Sequence, residues 1–131
     1  DLGIDPGDSG CQAYEASQFL FYQHSINASS ALILWQVGVV GDLSLTKLAP
    51  SNSGLKMLKE KLLTTYPENH MVTFYEASTL PIMPPRIDTV RVNDITASSV
   101  KPITTLYIPP ISSPLIDREF CQKWDVDIDA Y

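Results

Sequence analysis

Three short runs of this chain pass through apolar or β-branched residues, reach an aromatic and then break into a loop. They are Leu32-Ile33-Leu34-Trp35-Gln36-Val37-Gly38, Met71-Val72-Thr73-Phe74-Tyr75-Glu76-Ala77 and Ile103-Thr104-Thr105-Leu106-Tyr107-Ile108-Pro109. Apolar runs this short, bounded by Gly, Ser or Pro, read as buried strands of an α/β sheet. In open sheets of that class, ligands sit in the crevice beyond the carboxyl ends of the strands. Three aromatics arriving together at that crevice would form one wall of a small-molecule pocket. Taken singly, each is more simply an ordinary core residue, because large aromatics are buried on average. The recurrence, not any one residue, points to a site.

The rest of the chain supplies the helices such a sheet needs. Asp5-Pro6-Gly7-Asp8-Ser9-Gly10 is dense turn chemistry. The stripe Ala13, Ala16, Phe19 and Leu20, with no internal Pro or Gly, predicts a helix from Cys11 to His24. Ala31 to Val40 is continuously apolar, which predicts a strand buried on both faces, closed by Gly41-Asp42. After a connection ending in Ser51-Asn52-Ser53, which can cap a helix, Leu55, Leu58, Leu62 and Tyr66 recur at helical spacing over Gly54 to Thr65. Strand, helix and the second strand together make a βαβ unit. A loop carrying Pro81, Pro84 and Pro85 leads to Ile87–Val92, whose alternation predicts a strand with one wet face. A short helix from Asn93 to Ser99 and a surface tail with a helix over Asp117–Trp124 complete the pattern. The expected fold is one α/β domain spanning 1–131, a mixed β-sheet with flanking helices.

Composition closes off several functions. Hydrophobic residues make up 44% of the 131, which suits a globular domain. The net charge is −6 and the nine Lys and Arg are scattered, which excludes the clustered basic face that nucleic acid requires. Lys56, Lys59 and Lys61 gather on the second helix and read as its solvated side. The two cysteines, Cys11 and Cys121, have no framework spacing, so free thiols in a reducing, cytoplasmic setting are expected. In that setting the sequon Asn27-Ala28-Ser29 is coincidental. No stretch approaches the roughly 18 apolar residues of a membrane span.

Catalytic motifs are missing. There is no G-x-G-x-x-G loop, no Walker sequence and no G-x-S-x-G elbow. His24 and His70 lack ligand spacing, so no metal is expected. Asp125-Val126-Asp127-Ile128-Asp129 imitates the start of a calcium loop, but it lacks the Gly at loop position six. The chain either binds without catalysing or contributes to a site whose reactive groups lie elsewhere.

At these same runs the sequence resembles the tetrapyrrole methylase superfamily of S-adenosyl-L-methionine-dependent methyltransferases, and within it the borosin peptide backbone α-N-methyltransferases. The likeness rests on Asp5-Pro6 with Gly10-Cys11-Gln12-Ala13-Tyr14-Glu15-Ala16, on Trp35-Gln36-Val37-Gly38-Val39-Val40-Gly41-Asp42 and on Thr104-Thr105-Leu106-Tyr107-Ile108-Pro109-Pro110. It implies two α/β subdomains with the cofactor in the cleft between them, this chain resembling the C-terminal one. The missing N-terminal subdomain would then hold the Gly-rich loop and the catalytic residues, so none are assigned here, and the start at Asp1 agrees with a fragment. The resemblance further implies that S-adenosyl-L-methionine is lined by Trp35, Gln36 and Val37, by Tyr75, Glu76 and Ala77, and by Tyr107, Ile108 and Pro109. It implies a homodimer acting on backbone amides of a peptide that is either fused to the enzyme or carried on a separate chain; because the tail ending at Asp129-Ala130-Tyr131 shows no apolar core peptide, a separate chain is expected. Alternatives from the same fold are a corrinoid or porphyrinoid C-methyltransferase or a diphthamide-pathway enzyme; from another class, a non-catalytic binding or dimerisation module.

Overall fold

The computed structural model describes residues 9–40, 52–78 and 81–130. The predicted turn at Asp5–Asp8, the strand stop at Gly41-Asp42 and the capping Ser51 lie outside the described residues. Among the described residues there are five strands: β1 (Cys11–Glu15), β2 (Ala31–Trp35), β3 (Met71–Glu76), β4 (Arg86–Arg91) and β5 (Thr105–Ile108). They are interleaved with α1 (Ala16–Phe21), α2 (Asn52–Leu62) and α3 (Arg118–Lys123). Short stretches of tighter 3₁₀ helix span Val37–Val39, Val92–Ala97 and Ile128–Ala130.

The strands form one mixed sheet in the order β1-β2-β5-β3-β4. β1 runs parallel to β2, whereas β5 is antiparallel to both of its neighbours, β2 and β3. β2 and β3 therefore point the same way, and β5, between them, points the other.

One face of this sheet is covered. Leu34, Leu106 and Phe74 lie level across the three central strands and are fully buried. Against them pack Ala16 and Phe19 of α1, Leu55, Leu58 and Leu62 of α2, and Tyr66 beyond it. The predicted spacing of Leu55, Leu58, Leu62 and Tyr66 is thus the buried stripe of α2, each leucine worth about 1.5–3 kcal/mol of burial. The opposite face is half-buried among the described residues. Ile33, Tyr107 and Thr73 share one row there by register, and Trp35, Thr105 and Tyr75 follow in the next. The continuous apolar reading of residues 31–40 overstates burial, because Trp35 is 41% exposed.

The predicted helix from Cys11 begins only at Ala16. Gly10 adopts φ +80, a backbone turn that L side chains rarely make, and its carbonyl accepts a hydrogen bond from Ala31 N–H at 3.1 Å. This sets the following residues beside β2 in register from Cys11↔Ala31 to Glu15↔Trp35. The Gln12 side chain fastens the strand, donating to Asn27 O and accepting from Asn27 N–H, both at 3.0 Å. Glu15 then caps α1, its carboxylate accepting from Gln18 N–H at 2.9 Å. Strand pairing outweighed a weak helical stripe. The predicted helix over Asn93–Ser99 is likewise the 3₁₀ turn Val92–Ala97, in which Val92 and Ile95 reach the core.

Lys61 departs from the solvated lysine face expected of α2. Its ammonium donates to the carbonyls of Phe19, Leu20 and Tyr22 at 2.6, 2.8 and 2.9 Å. It also stands 5.1 Å from the centre of the Phe19 ring. A single cation thus satisfies the orphan carbonyls at the end of α1 and ties that helix to α2. Lys61→Ala is expected to cost about 1.5–3 kcal/mol, the worth of hydrogen bonds to a charged group. Lys56→Ala should stay within about 0.5 kcal/mol, as exposed substitutions do. Urea denaturation of the two variants checks the contrast.

Candidate functional site

β2 and β3 leave the sheet at one edge, and β5 enters at that same edge. The loops after Trp35 and Tyr75 therefore meet the turn that precedes Thr105, not the segment that follows Tyr107. Tyr107, Ile108 and Pro109 lead to the far edge: Tyr107 lies level with Ile33 and Thr73, Ile108 is fully buried in the core, and the Pro109 carbonyl accepts from His70 Nε2 at 2.7 Å. This corrects the expectation that all three runs end together, which treated the third as parallel to the others. The three rings still share the half-buried face of the sheet. Burial pushes the Tyr107 phenol above its ordinary range, with a further push from the neighbouring Cys11 sulfur.

At the shared edge the chain is bent sharply. Gln36 holds φ 57 and ψ 41, a left-handed conformation on a residue that is not glycine. Such strain costs about 1 kcal/mol and persists where surrounding contacts impose it, often at ligand-binding positions. The contacts here are clear. Val37 N–H donates to Thr104 O at 3.0 Å. Gly38 lies so close to the Lys101–Pro102 peptide that a Cβ would sit 2.1 Å from Lys101 C and O. Only a residue without a side chain permits that approach.

Behind this junction stands Glu76, 6% exposed. Its Oε1 accepts from Arg86 and from the Thr104 hydroxyl, both at 2.7 Å, and its Oε2 faces Lys101 Nζ at 3.8 Å. Thr104 Oγ1 in turn accepts from Lys101 N–H at 2.8 Å. Arg86 also pairs with Asp88 at 2.7 Å and donates to the Ser99 carbonyl. Burial alone would push the Glu76 carboxyl up; the hydrogen bonds from Thr104 and Arg86 and the charges of Arg86 and Lys101 outweigh it, leaving it below the usual range. A carboxylate so fully engaged is a structural lock, not a free base.

In front of the lock is a cleft of about 270 Å³ lined by Ala77, Ser78, Met83, Pro84, Lys101 and Ile103 together with Glu76 and Arg86. Met83 and Ile103 are more than half exposed at 56% and 57%; Trp35, 41% exposed at the end of β2, is not among the residues lining this cleft. Of the residues expected from sequence, Trp35, Gln36, Val37, Tyr75, Glu76 and Ala77 are brought to this edge. Gly38, Arg86, Lys101 and Thr104 were missed as site residues, because nothing in the sequence gives the direction of β5. Among the described residues, no group of His, Cys, Asp or Glu is placed to hold a metal ion, and no helix is long and apolar enough to cross a membrane.

No family model matches the chain. It is 40% identical over 123 residues to the methyltransferase/ribosomally synthesized cyclic peptide gymnopeptides precursor of Gymnopus fusipes, covering 89% of this chain and 29% of that protein. It is 37% identical over 114 residues to the corresponding dendrothelin A precursor of Dendrothele bispora (strain CBS 962.96), covering 84% and 27%. It is 33% identical over 136 residues to a methyltransferase/ribosomally synthesized type I borosin cyclic peptide precursor of Serendipita vermifera subsp. bescii, covering 100% and 33%. The chain thus spans a third or less of the length of these relatives. Among solved structures it is similar to the native form of uroporphyrin III C-methyl transferase from Thermus thermophilus, with TM-score 0.44 and 13% identity over 76% of this chain and 40% of that one.

Two outcomes test the edge. Gly38→Ala is expected to destabilise the fold by more than about 3 kcal/mol, since the clash is with backbone that cannot swing away, whereas Gln36→Gly should be neutral or stabilising by up to about 1 kcal/mol. Thermal unfolding measures both. The lowered Glu76 carboxyl stabilises the folded state fully above its unfolded value near 4.5, and this contribution fades as pH falls through the lower folded value. Glu76→Gln should therefore be less stable at neutral pH and show a shallower loss of stability on acidification, read from urea midpoints across that range.

Proposed function

This chain is homologous over most of its length to one segment of the borosin methyltransferase precursors, and we propose that it forms one wall of the cofactor cleft of an S-adenosyl-L-methionine-dependent enzyme that methylates peptide backbone amides. The observation that carries the reading on the structural side is the Gly38–Lys101 junction. It holds the end of β2 against the turn that starts β5, and the Thr104–Glu76 hydrogen bond ties in the end of β3, beside an open cleft.

The residues there suit a nucleoside-bearing cofactor. A purine ring needs apolar surface with a few hydrogen-bonding groups; Ile103 and Met83 offer exposed apolar side chains and Gln36 an exposed polar one. The proposed contacts are Trp35, Gln36 and Val37 with Tyr75 and Ala77, while Glu76, both of whose oxygens face protein partners, holds the edge instead of touching the cofactor. The third contact in this proposal is the turn at Lys101–Thr104, because β5 begins at this edge and Tyr107–Pro109 end at the other. When bound, the cofactor supplies an electrophilic methyl on its sulfonium. This chain's own part is to bind, to orient and to exclude water, which is what alignment of donor and acceptor requires. The remaining length of such a polypeptide would bring the other wall and the catalytic groups, and the enzyme would work as a homodimer.

The full-length protein should bind S-adenosylhomocysteine in calorimetry and add methyl groups to backbone amides of a peptide, located by fragmentation mass spectrometry, while leaving a tetrapyrrole unmodified. This chain alone should transfer nothing; transfer by it would refute the division of labour. Ile103→Asp in the full-length enzyme should leave folding nearly unchanged, since the residue is exposed, yet weaken cofactor binding by about tenfold or more, because a buried charge is left uncompensated against the ring.

A further inference from the structure

We infer that Glu76 is a positioning residue for the cofactor-binding edge, acting through the Thr104 hydroxyl. The inference rests on the cofactor reading of that edge. The Glu76 side chain is 7% exposed, and both of its oxygens already face partners within the protein. It is therefore poorly placed to be a ligand contact itself, which is the role its place after the second strand suggests from sequence.

The connection runs through named atoms. Thr104 is fully buried, and its hydroxyl donates to Glu76 Oε1 while accepting from Lys101 N–H. A hydroxyl has one proton to donate and lone pairs with which to accept; the carboxylate takes the proton and so leaves the oxygen's lone pairs for the Lys101 amide. That fixes the turn from Lys101 to Thr104, which also closes through Thr104 N–H to Lys101 O at 3.0 Å. The Thr104 carbonyl then holds Val37 N–H, and the Lys101–Pro102 peptide lies flat against Gly38. A carboxylate at the end of β3 thereby sets the backbone after β2 and the exposure of Ile103. Arg86 keeps the carboxylate charged and aimed, and is itself held by Asp88.

The test uses the full-length enzyme with S-adenosylhomocysteine as the probe. Calorimetry is expected to show about tenfold weaker binding for Glu76→Gln and for Thr104→Val, the scale of one charge-assisted hydrogen bond. The double variant should bind no more weakly than either single variant, because the two groups act as one unit. Thr104→Ser keeps the hydroxyl and should bind like the parent. KM for the cofactor should rise while kcat at saturating cofactor holds. Circular dichroism at the assay temperature confirms that each variant is folded; should Glu76→Gln be unfolded, the contrast between Thr104→Ser and Thr104→Val decides alone. Unchanged affinity in Glu76→Gln, equal affinity in the two Thr104 variants, or fully additive losses would overturn the inference. Failure of the parent enzyme to bind the probe would instead remove the cofactor reading beneath it.

Discussion

The contact on which the rest of the edge depends is between two peptides, not two side chains. Gly38 lies against Lys101 and Pro102 closely enough to forbid any β-carbon. With Val37 N–H bonded to the Thr104 carbonyl, this welds the exit of β2 to the entry of β5. Everything exposed there, including Trp35, Gln36 and Ile103, takes its position from that weld. Backbone packing this tight behaves as a rigid body, since interiors close-packed like crystals do not deform by fractions of an ångström without cost.

A rigid weld still needs an anchor to the third strand. Glu76 provides it, and its chemistry explains why a carboxylate suits the position. A buried acid is unfavourable unless hydrogen-bonded and paired. Here the Thr104 hydroxyl, Arg86 and Lys101 surround it from one side of the edge to the other. The same arrangement that keeps the acid ionised spans the gap between β3, β4 and the turn before β5. An apolar residue of the same size would fill the space and hold nothing in place.

Elsewhere, tertiary pairing repeatedly overrode local preference. Residues 11–15 carry part of a helical stripe yet run as a strand, because the positive φ of Gly10 and the Gln12–Asn27 bonds deliver them to the free side of β2. Once there, Tyr14 still packs partly into the core, so the strand meets the same demand for burial that the stripe expressed. Lys61 looked like solvated charge beside Lys56 and Lys59. The three carbonyls it serves belong to a helix some forty residues away, a relation that spacing along α2 cannot express.

The sequence alone determined the strands around residues 31–35, 71–76 and 105–108, the buried face of α2 and the single mixed sheet, because apolar periodicity and Gly or Pro punctuation are local properties of the chain. It also marked the loop after Trp35 and the residues around Glu76. Tertiary structure alone decided that β5 runs against its neighbours. That choice moved the third part of the proposed site from Tyr107–Pro109 to Lys101–Thr104. The physical reason is that a strand's apolar pattern is the same read from either end; its direction is set by the connection from β4 and by which backbone partners are left to pair.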